Sequence, residues 1–501
     1  MKHERNLTRR RFVVLTSAAA GGVLTSTAAK SSDPKLVSLR DAHIGTLEID
    51  LRIMNQYGDQ AQEVLDFYTA CREALTGEKP GKALSAVCRR FNRSKLGGPM
   101  LGDPTATGVA VWLNLPDPGQ VQVRVIPVKG GKSRTYQSTK KERIHSIACN
   151  GLAPDTAYSY EVTGSSNISL GVGRFMTAPA ELSEKPFRIA FGTCYHKVGM
   201  YRPELMQLIR ERDNRAMLVL GDSAVDGRKD NYGLINADYL LRNLSQPWQQ
   251  LSAHVPVSAT WDDHDYWGDD ISGTLTNSNK PIDVRGLRKA WKANWNNPER
   301  EVEREGIYFS TQIGPIQHIA LDTRSCRVNQ QRGKLNSFLG KEQMDWLKQQ
   351  LESSDAPCIL ISGGTMWSDY ISSGKDSWGT WDTEGREQIF QWIDARKDSL
   401  VILLSGDRHG ARGFAIPRPN GGHIHELEVA GMGGVPGPGA HGKGRKYQLF
   451  GYPGGTWAFG ELAFRKMDNK LQVEFKLVNE RGHEMETITL DSRPWRGKTQ
   501  R

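Results

Sequence analysis

The run Val255-Pro256-Val257-Ser258-Ala259 leads directly into Thr260-Trp261-Asp262-Asp263-His264-Asp265-Tyr266, so an apolar segment ends in three carboxylates and an imidazole. Residues Val255 to Ala259 predict a buried strand. Carboxylates beside an imidazole at its exit can hold a metal and supply a proton donor at the same point. A solvated acidic turn has the same composition. Two further clusters weigh against that plainer reading: Leu220-Gly221-Asp222-Ser223 and Ser405-Gly406-Asp407-Arg408-His409 also follow apolar runs. Three polar turns at three strand ends point to one shared site.

Working outward from this stretch, the spacing predicts strands at Phe187 to Phe191, Met217 to Leu220, Val255 to Ala259, His318 to Leu321, Cys358 to Ile361, Val401 to Leu404 and Leu427 to Ala430. Helices fall between them, near Pro203 to Arg212, Leu339 to Leu351 and Glu384 to Ala395. Met344, Leu347 and Leu351 share one face of the second. Strands alternating with helices make an α/β pattern, and ligands of such sheets sit beyond the carboxyl ends of the strands. Cys194, Asp222, Asp263, Asp322, Gly363-Gly364 and Asp407 occupy those ends. Phe459 to Leu490 alternates apolar and polar residues around Asp468-Asn469, as a hairpin would.

The chain before this region changes character twice. Val109 to Leu113, Val121 to Val125 and Leu152 to Tyr160 are short strands with turn signals, which predicts a small β-sandwich over residues 97–180. Leu152-x-Pro154-x-Thr156-x-Tyr158 resembles the tyrosine corner of fibronectin type III modules. Residues 30–96 read as a helical preface: Ile53, Tyr57, Ala61, Val64, Leu65, Tyr68 and Cys71 have helical spacing, and Gly77 and Pro80 break it before a second helix near Leu84 to Phe91. A chain of 501 residues suits two or three such units.

Thr8-Arg9-Arg10-Arg11-Phe12-Val13-Val14, a moderately apolar stretch to Leu24 and the small residues Ser26-Thr27-Ala28 resemble a twin-arginine export signal over residues 1–29. The expected partner is the twin-arginine export machinery, and the expected location is periplasmic or extracellular. Thr16, Ser17, Gly21, Gly22, Thr25 and Ser26 dilute the stretch below what a stable membrane span needs, so the mature chain is expected to carry none. Lys2, Arg5, Arg9, Arg10 and Arg11 against Glu4 supply +4 of the formal +10, leaving +6 for the rest. That mild excess suits an anionic substrate, and with no Lys/Arg run interleaved with aromatics no nucleic acid partner is expected. Six cysteines without a CxxC pair exclude a disulfide scaffold, while a pairing such as Cys71 with Cys88 stays open.

Two cations a few ångströms apart can clamp a phosphate, activate water and stabilise a leaving oxygen, and they need carboxylates and imidazoles converging from several loops. Asp222 follows a glycine that permits a tight turn, and its carboxylate can bridge two ions. Asp407 and His409, like Cys194 and His196, are spaced by one residue and can face one site from an extended segment. A thiolate favours iron or zinc, and an oxygen-rich set favours calcium, magnesium or manganese.

Phe191-Gly192-Thr193-Cys194, Leu220-Gly221-Asp222, Trp261-Asp262-Asp263-His264-Asp265, Leu321-Asp322-Thr323-Arg324, Leu339-Gly340-x-x-Gln343-x-x-Trp346-Leu347 and Leu404-Ser405-Gly406-Asp407-x-His409 follow one another in an order that resembles the PhoD-like alkaline phosphatases and phosphodiesterases, within the calcineurin-like metallophosphoesterases. Gly98-Pro99-Met100-Leu101-Gly102-Asp103 is similar to the opening of that family's sandwich. The resemblance implies a two-sheet α/β/β/α catalytic domain over residues 186–490, behind the sandwich and the short helical segment. It implies hydrolysis of phosphate mono- or diesters by metal-activated water, with iron and calcium as cofactors. Carried over by position, Cys194, Asp222, Asp407 and His409 become metal ligands, with Asp263 a further ligand or catalytic group. His264 protonates the leaving oxygen or steadies the phosphate, and Arg324 neutralises phosphate charge by a forked contact.

One departure matters. Where the family often has Gly-Asp-x-Ile-Tyr, with tyrosine on iron, this chain reads Gly221-Asp222-Ser223-Ala224-Val225-Asp226. Valine cannot ligate, so Asp226 becomes a candidate ligand and calcium, magnesium or manganese alone becomes an alternative to iron with calcium. Gly268-Asp269-Asp270 adds carboxylates that bind a cation or face solvent. Two rival readings stand beside a general phosphoesterase: a diesterase for phospholipid or polymer, and a phosphate or cell-envelope binding protein that has lost catalysis.

Overall fold

The computed structural model describes residues 36–181, 183–298, 305–467 and 470–494. The expected export signal and the expected hairpin turn at Asp468-Asn469 lie outside them. Among the described residues no helix is long and apolar enough to cross a membrane.

Helices α1 (Leu39–Ile44), α2 (Leu47–Asn55), α3 (Gln62–Thr76) and α4 (Pro80–Arg90) come first. Ser38 caps α1 by accepting from the Asp41 amide, Gly45 ends it in the left-handed region at φ 60°, and Thr46 caps α2. Of the residues whose spacing read as helical, Tyr57 and Ala61 fall between α2 and α3, while Tyr68 and Cys71 join Phe67 and Ala74 on the buried face of α3. A buried ionic network fastens these helices to the chain behind them. Lys197 Nζ reaches Asp50 at 2.7 Å and Asp238 at 3.2 Å, and Arg228 Nε reaches Asp238 at 2.7 Å. The other Arg228 nitrogens donate to the carbonyls of His43 (2.7 Å) and Ala42 (3.2 Å) at the end of α1, where a cation complements the helix dipole.

Strands β1 (Gly97–Thr105), β2 (Gly108–Gly119), β3 (Val121–Pro127), β4 (Arg134–Gln137), β5 (Glu142–Asn150), β6 (Ala157–Gly164) and β7 (Ser169–Met176) form two sheets, ordered β1-β2-β5 and β4-β3-β6-β7. Val109, Val111 and Leu113 of one sheet meet Val123, Val125 and Tyr160 of the other in a shared core, the period-two burial that a sandwich requires. The Tyr158 hydroxyl accepts from the Ala153 amide at 2.9 Å. Asn296, from the chain beyond, ties this unit down: its amide donates to Met100 O (3.1 Å) and Ala110 O (2.9 Å) and accepts from Ser146 Oγ (2.7 Å). It thus bonds to β1, β2 and β5 in turn.

The remaining strands are β8 (Phe187–Gly192), β9 (Asn214–Leu220), β10 (Val257–Thr260), β11 (Phe309–Ile313), β12 (Ile316–Ala320), β13 (Cys358–Ser362), β14 (Leu400–Ser405), β15 (Gly410–Pro417), β16 (His423–Ala430), β17 (Gln448–Tyr452), β18 (Ala458–Met467), β19 (Lys470–Asn479) and β20 (Glu484–Pro494). They form two sheets, β10-β9-β8-β18-β19-β20 and β11-β12-β13-β14-β16-β15-β17. Phe187, Ile189 and Phe191 of β8 pack against Leu360 of β13 and Ile402 and Leu404 of β14 between the sheets. Ile359, Ile361, Val401 and Leu403 turn the other way, onto the helices Gly340–Ser353 and Thr383–Asp394. Strands buried on both faces must read as continuous apolar runs, and these do. The architecture is α/β/β/α, as the motifs imply. The C-terminal hairpin has a third strand, because Asn479 Oδ1 accepts from the Arg481 and His483 amides and turns the chain again into β20. Trp291, Trp295, Trp367, Trp378 and Trp381 are buried in the cores.

Strands β8, β9 and β10 run parallel, as do β12, β13, β14 and β16. Their carboxyl ends meet across the two sheets: the Thr193 amide donates to Val429 O at 3.0 Å, and Thr260 Oγ1 to Leu321 O at 2.6 Å. The polar strand ends therefore share one edge.

Candidate metal centre

Backbone conformation marks this edge first. Cys194 (φ 55°), His196 (43°), Asp222 (48°), Asp407 (78°) and His409 (49°) all adopt the left-handed region, which is unfavourable for residues with a Cβ and collects where side chains must be aimed. Gly221 permits a close approach, since a Cβ there would lie 2.5 Å from Asp262 Cβ.

The side chains converge in two sets that share Asp222. Cys194, His196, Asp222 and His409 each offer one donor atom within 4.8 Å of the others, and so do Asp222, Asp262 and Asp263. Cys194 Sγ lies 3.5 Å from Asp222 Oδ2, and His196 Nε2 lies 3.9 Å from the same oxygen. On its other side, His196 Nδ1 donates to Asp226 Oδ1 at 3.2 Å. Buried Asp222 Oδ1, Asp262 Oδ2 and His196 Nε2 have no hydrogen-bond partner among the described residues. Unpaired buried polar atoms are costly, and cations in both sets would satisfy them. The donor chemistry fits: thiolate with imidazoles on one side of Asp222, carboxylates alone on the other.

The electrostatics agree with that fit. Burial, together with Asp263, Asp262, Asp265 and Asp407, pushes the Asp222 carboxyl well above its ordinary range, and burial also raises Asp407 despite Arg408. Asp262 is pushed up to about 6 by burial against the opposing pull of Arg324. Burial lowers His409 to about 3, which leaves a neutral imidazole able to ligate. Burial would raise Asp226, but the hydrogen bond from His196 and the neighbouring His196, Lys197 and His43 together outweigh this and hold it below the usual range.

Asp407 faces the same carboxylates but pairs with Arg408 Nε at 2.9 Å. His264 lines a cleft of about 850 Å³ outside the cluster, with His43, Asp226, Lys229, Trp267 and Lys280. Arg324 is fully buried; Nε donates to Asp262 Oδ1 at 2.5 Å, Nη1 pairs with Asp376, and Nη2 stands 3.7 Å from Asp263 Oδ1. Its fork is engaged by carboxylates, so a two-pronged phosphate contact would require it to leave them. Val225 is buried in the apolar core. Asp270 is paired with Lys375 at 2.5 Å, and its amide donates to Asp263 Oδ2 at 2.7 Å. Asp265 serves the scaffold, accepting from the Ser223 amide (3.1 Å) and hydroxyl (2.8 Å).

Three residues of the centre were not singled out as site residues from sequence. Asp262 stands beside Asp263 in the quoted motif, His196 shares its spacing with Cys194, and His43 arrives from α1. The first two carried a local signal. His43 carried none.

The facing sheets have a metallophosphoesterase-like fold. The solved structure of PhoD aligns over 79% of this chain and 88% of its own, with TM-score 0.61 and 17% identity. Purple acid phosphatase PPD1 from yellow lupin seeds aligns over 78% of this chain and 73% of its own, with TM-score 0.60 and 13% identity. Within that class, residues 236–431 match the PhoD-like phosphatase family, which bears out the resemblance read from the motifs. Residues 93–167 match a domain family of unknown function. Alkaline phosphatase D of Bacillus subtilis (strain 168) is 24% identical, the match covering 62% of this chain and 63% of that protein.

Proposed function

We propose that this chain is an exported, metal-dependent phosphoesterase that hydrolyses phosphate mono- and/or diesters. The observation that carries the reading is the pair of ligand sets sharing Asp222 at the carboxyl edge of two facing sheets. Bound cations would supply Lewis-acid polarisation of a phosphoryl oxygen and a deprotonated water at neutral pH. Cys194, His196, Asp222 and His409 would hold one, and Asp222, Asp262 and Asp263, with Asp407 alongside, the other. Asp226 fixes the His196 tautomer, and His264 at the cleft wall donates a proton or hydrogen bond to the departing oxygen. The first set suits iron or zinc and the second calcium, magnesium or manganese. Iron with calcium is therefore our first assignment, with His196 standing in for the absent tyrosine.

The cleft of about 850 Å³ beside His264, with Lys229 and Lys280 on its rim, favours a second reading. A leaving group larger than a simple alcohol fits there, as a phospholipid or polymer diester would provide.

Elemental analysis of protein purified without chelators, followed by turnover of an aryl phosphate monoester and diester, tests the proposal. Stoichiometric metal with turnover supports it, and the better substrate chooses between the two readings. Phosphate binding without turnover under every metal supplement would replace it with a binding protein.

A further inference from the structure

The helices ahead of the sandwich bring one side chain into the centre. His43, near the end of α1, stacks on His264 with ring centroids 4.2 Å apart and planes 30° from parallel. It meets the His196 ring edge-on at 5.7 Å, and its Nε2 stands 3.8 Å from Asp226 Oδ1 without a hydrogen bond.

What holds the His264 ring decides what His43 does. The His264 amide donates to Asp263 Oδ1 at 3.0 Å, but buried ring Nδ1 has no hydrogen-bond partner among the described residues. The terminal torsion of a histidine is broad and soft, so packing must set the ring. His43 covers one face, and His196 approaches at 5.5 Å with planes 86° apart. His196 is itself bonded to Asp226, which leaves His43 as the surface against which His264 is registered. His43 is held in turn: Arg228 grips its carbonyl, and Arg72 Nη2 donates to Gly45 O at 2.5 Å just beyond.

We propose that His43 is a positioning residue of this centre, holding the His264 imidazole toward the cleft by ring stacking, so that the N-terminal helices are a working part of the site. The inference rests on the phosphoesterase reading for its kinetic consequence. A ligand role with His196 and Asp226 is the competing use of the same side chain, but it would displace the His196–Asp226 hydrogen bond.

The test compares full-length, metal-loaded His43→Phe, His43→Ala, His264→Ala and the His43→Ala/His264→Ala double variant, with metal content and melting temperature recorded for each. Misplacing a reacting group by about 1 Å can cost ~100-fold. We expect His43→Ala to lose about tenfold or more in kcat with little change in KM, and His43→Phe, which keeps a ring, to stay within about threefold. The double variant should be no slower than His264→Ala alone, the non-additivity of residues acting through one another. Metal loss on His43→Ala, equal damage from phenylalanine and alanine, or multiplicative single effects would overturn the proposal. Should the alanine variant not fold, His43→Leu fills the space without a ring and takes its place. Side-chain nitrogen NMR gives a readout free of turnover: the His264 ring signals should broaden or shift in His43→Ala and not in His43→Phe. A wild-type protein without turnover would sink the phosphoesterase reading, while the NMR comparison would still decide the positioning role.

Discussion

His196 lies between two carboxylates, with Nδ1 3.2 Å from Asp226 Oδ1 and Nε2 3.9 Å from Asp222 Oδ2. An imidazole that donates from one nitrogen to a carboxylate presents the other as a lone pair, the arrangement that fixes tautomer and basicity in metal-binding histidines. Asp226→Asn should therefore weaken metal binding by about 10- to 100-fold without unfolding the chain. Competitive chelator titration measures this, and an unchanged affinity would show that Asp226 does not act through His196.

His264→Ala should keep its metal and its melting temperature while turnover falls about 10²- to 10⁴-fold, the usual contribution of a placed proton donor. Steady-state kinetics on an aryl phosphate, alongside metal analysis, provides the check. A correctly metallated variant at full speed removes His264 from the mechanism.

Lys197 is fully buried between Asp50 and Asp238. Replacing it with methionine removes the shared cation, but Asp238 keeps Arg228 and Asp50 keeps Arg72 and the Tyr68 hydroxyl, so the loss should be about 1–3 kcal/mol, less than for a fully orphaned buried charge. Urea unfolding should show a matching drop in stability. A loss below about 1 kcal/mol would mean that the network relaxes or hydrates, as exposed pairs do.

Acid should destabilise the fold through His318, whose Nε2 lies 2.8 Å from Ser362 Oγ and whose pKa burial lowers to about 3. An unfolded histidine takes up its proton near ~6.5. Between there and about 3 the unfolded state binds the extra proton, so stability is present above the window and falls as pH drops through it. The contribution is about 1.4 kcal/mol per pH unit at most. His318→Gln should flatten the pH dependence of unfolding by that slope, and an identical dependence in both proteins would contradict the assignment.

The strands were legible because burial on both faces leaves long apolar runs, and the turns because glycine precedes Asp222 and Asp407. Cys194, Asp222, Asp263 and His409 could be placed for the same reason: a strand's carboxyl end fixes where the next residue or two must go. Choosing between Asp262 and Asp263 needed more than position, since both reach the cluster and Asp262 also holds Arg324. The engagement of Arg324 depends on Asp376, a loop residue without a local pattern. His43 lies far upstream in a helix whose spacing reports only its buried face, so its stacking on His264 follows from tertiary docking alone.

The three hydrogen bonds of Asn296, donated to Met100 and Ala110 and accepted from Ser146, reach every strand of one sandwich sheet from the far side of the junction. A hinge motion of the sandwich would break all of them together. Moving the sandwich as a jaw would cost about 0.5–1.5 kcal/mol for each bond lost, which favours selection by the walls of a standing cleft and its local loops.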